Sequence, residues 1–188
     1  ASGGRIKSTG QAFEGGTHFV KDTGAAGFVP CGPDEGKAFD PPVFKAGFGV
    51  RDDLGILADE GVDFFMLETF THLQEAQLAA KIAKEFDLPV FVSMTVGIEG
   101  ATEKGRPLEQ LIEALDADPN VDGLGLNCGV GPAAAYSNAE RALPLTEKPF
   151  IFMANAGLPQ NVDGRMIYMA TPEYFTEYAK RMIELGVR

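Results

Sequence analysis

The chain is short of cysteine, of histidine and of concentrated positive charge, and each shortage removes a class of function. Its two cysteines, Cys31 and Cys128, stand far apart in 188 residues, whereas a disulfide-stapled fold is usually smaller and richer in them. Both read as free thiols, each to be judged by its neighbours. The two histidines, His18 and His72, fit no metal-ligand spacing such as His-x-x-x-His. His72 opens a helical pattern and reads as a surface or cap residue, while His18 falls in a segment with no legible period. Lys and Arg number 16 against 27 Asp and Glu, a net charge of −11. No basic cluster offsets that charge, so nucleic acid and anionic membrane surfaces are not expected partners: both need gathered Lys and Arg. No apolar run approaches the ~20 residues that span a bilayer, and Ala1–Gly10 has no apolar stretch of the kind a secretory signal carries. A soluble, cytoplasmic protein is the expectation. A nucleophile elbow and a phosphate-binding loop are also missing, and Gly129-Val130-Gly131 is followed by Pro132 rather than completing a dinucleotide fingerprint.

What is present is a rhythm. The length suits one domain with a substantial core. Residues 1–26 are broken up by glycine and read as an irregular segment. From residue 27 onward, apolar runs of strand length recur at Gly27–Cys31, Val62–Leu67, Pro89–Met94, Val121–Leu126 and Pro149–Met153. Each is too short and too continuously apolar for an amphipathic surface strand, and fits a strand buried on both faces. Between them lie helical stripes: Leu73–Phe86, Pro107–Leu115 with proline in its first turn, and Thr171 to Leu185 with a Thr cap, an early Pro and a stop at Gly186. About five strand–helix units in series predict an α/β fold with a parallel sheet, either open and doubly wound or closed as a barrel. A full barrel needs ~250 residues, and the chain stops at Val187-Arg188 where a further strand is expected to begin. The expectation is therefore an incomplete barrel over residues 27–188.

In parallel α/β folds the working groups collect where strands end. Glu68 follows the strand Val62–Leu67. A carboxylate there is costly to bury without a partner; either it meets the amino group of a ligand or it supports the N-terminus of the next helix. Ser93 and Thr95 close the next strand and offer hydroxyls to a polar head group, or satisfy local backbone. Cys128 sits in a glycine-rich turn after Val121–Leu126, where backbone approaches a ligand closely; a buried, inert thiol is the other reading. Asn155 follows Pro149–Met153 in a stretch that is also plain turn chemistry.

Taken in order, Gly61-Val-Asp63 leading to Leu67-Glu-Thr-Phe70, Pro89-Val-Phe-Val-Ser-Met-Thr95, Gly125-Leu-Asn-Cys128 with Gly131-Pro132, and Asn155-Ala-Gly-Leu-Pro159 resemble the homocysteine-binding domain. That domain is found in cobalamin-dependent methionine synthase, betaine–homocysteine methyltransferase and the smaller homocysteine S-methyltransferases. Asp163-Gly-Arg165 and Thr171-Pro-Glu-Tyr-Phe175 are similar to its penultimate βα unit. The resemblance implies a (β/α)₈ TIM barrel that transfers a methyl group to the thiolate of homocysteine, giving methionine. It implies that Cys128 is one of three zinc thiolates, that Glu68 holds the homocysteine amino group, that Asn155 lies beside the metal, and that Ser93 and Thr95 line the same mouth. Zinc in such a site takes the substrate sulfur as fourth ligand and favours its thiolate form.

The family's other two zinc ligands are adjacent cysteines after the last strand, and they are not found before Arg188. Cys31 does not stand in for them: Cys31-Gly32-Pro33 resembles a Gly-Pro turn. The family's N-terminal Asp-Gly element is likewise not found in residues 1–24. The expectation is a chain cut short at both ends, inactive by itself, with further domains or another chain completing the barrel. The methyl donor is left open among betaine, S-methylmethionine, S-adenosylmethionine and a methyl-cobalamin loaded from methyltetrahydrofolate. Two other readings stand beside this one. A metal-free barrel lyase would place Lys or His at a strand end, and neither is found there. A non-catalytic fragment or degenerate homologue would keep Glu68, Cys128 and Asn155 as fold residues only.

Overall fold

The computed structural model describes residues 50–157 and 159–188 in full, together with the backbone of helix residues 42–49 and of two short strands at 18–19 and 26–27. The remainder of the Gly27–Cys31 run, with Cys31, lies outside the described residues.

Four parallel strands form the frame: β3 (Phe65–Phe70), β4 (Val90–Met94), β5 (Gly123–Asn127) and β6 (Phe150–Met153). Two short strands precede them, β1 (His18–Phe19) and β2 (Ala26–Gly27), and β1 pairs antiparallel with β3 through Phe19 and Leu67. The helices are α1 (Pro42–Asp59), α2 (Leu73–Ala83), α3 (Leu108–Asp116), α4 (Pro132–Ala142) and α5 (Pro172–Leu185). The four runs expected to be strands after residue 60 are strands, but each begins one to three residues late. The first also extends past Leu67 to Phe70, so Glu68 lies within β3 rather than beyond it.

Sheet order separates the two architectures that the strand–helix period alone left open, in favour of the expected incomplete barrel. The strands lie side by side in chain order, β3-β4-β5-β6, with no reversal of the kind that defines a doubly wound sheet. Each parallel step crosses over through a helix, and right-handed crossovers put those helices on one face. On that face Phe65 meets Phe86 edge-on, just after α2, and Val90, Val92 and Met94 are wholly buried. Strand alternation turns Phe91 and Ser93 to the other face, where Phe91 packs edge-on against Phe64. A sheet clothed by helices on one side, with strands in sequence order, is an arc of a (β/α) barrel whose second face looks inward.

Local chemistry accounts for the helices. In α3, Leu108, Leu111, Ile112 and Leu115 recur at helical spacing and all are wholly buried, each contributing roughly 1.5–3 kcal/mol by leaving water. Helix α4 starts after Gly131 with Pro132 in its first turn and buries Ala135, Ala139 and Ala142, small residues that let it lie close to the sheet. Helix α5 begins at Thr171, whose Oγ1 accepts a hydrogen bond from the Tyr174 N–H at 3.2 Å, and ends at Gly186. Beyond it the Arg188 N–H donates to the carbonyl of Phe150 in β6 at 2.8 Å. Between β6 and α5 lies an antiparallel hairpin, β7 (Gln160–Val162) and β8 (Arg165–Ile167), that was not expected.

Candidate functional site

The inward ends of β3, β4 and β5 converge on one cluster. Strand β3 breaks register between Leu67, opposite Val92, and Phe70, opposite Met94. The extra length is Glu68-Thr69, a bulge beside Ser93. Thr69 sits at φ 66°, a left-handed conformation that a β-branched residue keeps only where its surroundings enforce it. The enforcing group comes from β5: the Thr69 N–H donates to Asn127 Oδ1 at 3.0 Å, and Asn127 Nδ2 donates back to Thr69 Oγ1 at 2.7 Å.

Glu68 is half-buried, and burial raises its carboxyl from the ordinary 4.5 to about 7. Among the described residues no Lys, Arg or His is paired with it. Ser93, 1% exposed, keeps an Oγ with no hydrogen-bond partner among the described residues. Thr95, by contrast, commits its hydroxyl to the Asn127 carbonyl at 3.1 Å and its N–H to the Phe70 carbonyl at 2.8 Å. These bonds tie the end of β4 to both neighbours.

Cys128 follows directly on β5. Its backbone is left-handed, φ 55°, its N–H donates to the Met153 carbonyl at 3.0 Å, and its Sγ lies 3.4 Å from the donating Asn127 Nδ2. It is a half-exposed free thiol. The next residue, Gly129, has φ 65°, and a Cβ there would stand 2.3 Å from the Val96 carbonyl oxygen, so the turn admits only glycine. Asn155 is half-buried and reaches the same turn through its N–H, which donates to the Val130 carbonyl at 3.0 Å. Outside this turn opens a cavity of about 410 Å³ lined by Ile98, Pro132, Met169 and Tyr174, with no charged side chain on its walls.

The structure therefore brings Glu68, Ser93, Thr95 and Cys128 to one end of the sheet, with Asn155 on the adjoining turn. His72 stands at the N-cap of α2, 3.0 Å from Thr71 Oγ1 and 3.7 Å from Glu75. The His18 side chain is outside the described residues. Among the described residues no three His, Cys, Asp or Glu converge as a metal site. Sequence reasoning passed over Asn127 and Thr69 as individuals. The available signal was an amide at the end of the Gly123–Leu126 stretch of glycine and leucine that precedes Cys128.

A family model described as homocysteine S-methyltransferase matches residues 39–188. The chain is 37% identical over 82 residues to the S-methylmethionine–homocysteine S-methyltransferase of Rattus norvegicus, a span of 44% of this chain and 22% of that protein. It is 30% identical over 111 residues to homocysteine S-methyltransferase 4 of Zea mays, covering 57% of this chain and 32% of the relative. The methionine synthase of Mycobacterium leprae is 31% identical over 112 residues, 56% of this chain and 9% of that one. Among solved structures, the apo form of the homocysteine methyltransferase MmuM from Escherichia coli superposes with a TM-score of 0.62 at 19% identity, over 80% of this chain and 51% of that one. The chain thus spans about half of that solved neighbour and a third or less of these curated relatives.

Proposed function

Because the chain belongs to the homocysteine S-methyltransferase family, we propose that its strand-end cluster binds homocysteine for methyl transfer to the sulfur, giving methionine, and supplies one thiolate of a zinc site. The observation that supports this most is the pairing of two unlike groups across three strands. Glu68 is a half-buried carboxylate without a cation partner among the described residues, and Asn127 ties its neighbour Thr69 by hydrogen bonds to the half-exposed thiol of Cys128. An amino acid ending in sulfur has the complementary pair: an ammonium for Glu68 and a sulfur for the Cys128 side of the mouth.

Glu68 recognises the ammonium. A carboxyl that titrates near 7 when empty becomes a full carboxylate once a cation sits beside it, so binding stabilises the charged form that burial disfavours. Ser93 has a buried hydroxyl, unengaged among the described residues, on the inward face next to the bulge, and takes a polar atom of the amino-acid end. Thr95 shapes the same wall while holding the end of β5. Asn155 presents its amide beside the turn of Cys128 and Gly129, where the substrate sulfur arrives.

Zinc fits Cys128 as one donor: the thiol is at a strand end, half-exposed, and receives an N–H from Asn127. One donor does not make a site, and tight zinc binding requires two further thiolates from outside the described residues. When bound, zinc lowers the pKa of a substrate thiol so that the thiolate predominates at neutral pH. The methyl donor is an electrophilic methyl compound that reaches the sulfur from the mouth. The uncharged cavity beside the Cys128 turn suits its methyl-bearing end. Cobalamin and methyltetrahydrofolate belong to the methionine synthase branch of this reading. A free thiol and an acidic surface suit the reducing cytoplasm.

The test is binding and metal content together. Homocysteine should raise the melting temperature of the chain, and Glu68→Gln should abolish that rise. With zinc supplied and the full thiolate set present, methionine should form from a methyl donor, and Cys128→Ser should remove both bound zinc and product. A homologue that keeps these residues for folding alone would show no homocysteine-dependent rise in melting temperature.

A further inference from the structure

Asn127 is 3% exposed, in a strand whose other four residues are Gly123, Leu124, Gly125 and Leu126. An amide buried among apolar groups is costly unless its donors and acceptor are engaged, and here all are. Oδ1 accepts from the Thr69 N–H at 3.0 Å; Nδ2 donates to Thr69 Oγ1 at 2.7 Å and faces Cys128 Sγ at 3.4 Å. Its own carbonyl accepts from Thr95 Oγ1 at 3.1 Å. Thus a single side chain reaches past β4 to the residue after Glu68 and also touches the thiol. Thr69 and Cys128, the two residues it grips, both hold left-handed backbone, φ 66° and 55°.

A site that reads an ammonium at one end of its ligand and a sulfur at the other must hold its two recognition groups at one spacing, because a displacement of about 1 Å is costly to a bound geometry. We propose that Asn127 is a positioning residue that keeps the Glu68 carboxylate and the Cys128 sulfur at the separation set by an amino acid whose sulfur lies two carbons beyond Cα. The proposal rests on the functional reading above in taking Glu68 as the ammonium partner.

The test needs no metal. In a Cys31→Ser background Cys128 is the sole thiol, and its alkylation by iodoacetamide is followed by mass spectrometry with methionine as the probe, while exchange of the Thr69 amide is followed by NMR. Methionine should shield Cys128 in the parent. Asn127→Ala should raise the methionine concentration for half-protection by roughly tenfold, the scale of lost hydrogen bonds, and should speed Thr69 exchange. Asn127→Asp keeps the acceptor for the Thr69 N–H, so it should retain slow Thr69 exchange and recover most of the shielding, while changing the alkylation rate of the free protein.

A folded Asn127→Ala protein with the parental methionine midpoint overturns the proposal, even if it melts earlier and exchanges Thr69 faster, because that pattern is a purely structural role. Should Asn127→Ala not fold, Thr69→Val removes only the Oγ1 acceptor. A midpoint shifted there supports the proposal, and an unchanged one overturns it. Failure of methionine to shield Cys128 in the parent sinks the functional reading and the proposal together, a result visible before any Asn127 variant is made.

Discussion

Glu68→Gln should make the protein more stable at alkaline pH while leaving it unchanged in acid. The carboxyl is raised to about 7 by burial, above the value near 4.5 expected in the unfolded chain. Between those two values the folded state therefore binds more protons than the unfolded one. By linkage, the wild-type protein is most stable below about pH 4.5, loses stability as pH rises towards 7, and stays at the lower level above it. A shift from 4.5 to about 7 corresponds to at most roughly 3 kcal/mol. Solvent reaches part of the group, and screening reduces the expected effect to about 1–2 kcal/mol. Glutamine keeps the shape and cannot ionise, so it removes the pH-dependent loss. Urea unfolding at pH 5 and pH 8.5 measures the difference directly: the variant should gain about 1–2 kcal/mol on the wild type between the two pH values. Methionine or homocysteine should close that gap, because an ammonium beside Glu68 stabilises the ionised form. Parallel pH profiles for the two proteins would refute the claim that burial raises the carboxyl in this bulge.

Other substitutions test the frame that positions the site. Gly125→Ala places a Cβ 2.1 Å from the Ile151 carbonyl oxygen of the neighbouring strand, and backbone that must move apart should cost about 1–3 kcal/mol in chemical denaturation; an unchanged midpoint would mean β5 and β6 are not so closely packed. Phe150→Ala empties a wholly enclosed position in β6, where Phe150 is 1% exposed, and should cost about 3–5 kcal/mol. A loss under 1 kcal/mol would show that β6 is poorly packed in solution. Thr171→Ala removes the acceptor for the Tyr174 N–H and should lower stability by about 1 kcal/mol, with Thr171→Ser restoring most of it.

The parts of the fold that were legible in the sequence are those set by neighbours in the chain. A strand buried on both faces must be largely apolar, so Val90–Met94, with Ser93 its one polar residue, and Phe150–Met153 announce themselves. A helix facing a sheet must repeat apolar groups at its own period, which marks Leu108 to Leu115. Thr171-Pro172 and Gly186 bound α5 because capping needs only local donors and acceptors. The β7–β8 hairpin was also locally encoded, in Asp163-Gly164 at left-handed φ of 51° and 80°, the dipeptide that suits a tight hairpin turn; its flanking strands of three residues each were too short to stand out by period.

What the sequence by itself determined, then, is the strand–helix series and the placing of Glu68, Ser93, Thr95, Cys128 and Asn155 near strand ends. Only the tertiary structure decided that the strands lie in chain order as an arc rather than a doubly wound sheet, since periodicity carries no record of which strand neighbours which. Only it showed that Glu68 lies inside a strand, in a bulge, where enclosure by other segments raises its pKa. Tertiary structure also joined Thr69 to Asn127, 58 residues away in the chain. A hydrogen bond of that span leaves no periodic trace, because the amide in β5 and the strained residue in β3 acquire meaning only once β4 has brought them within reach.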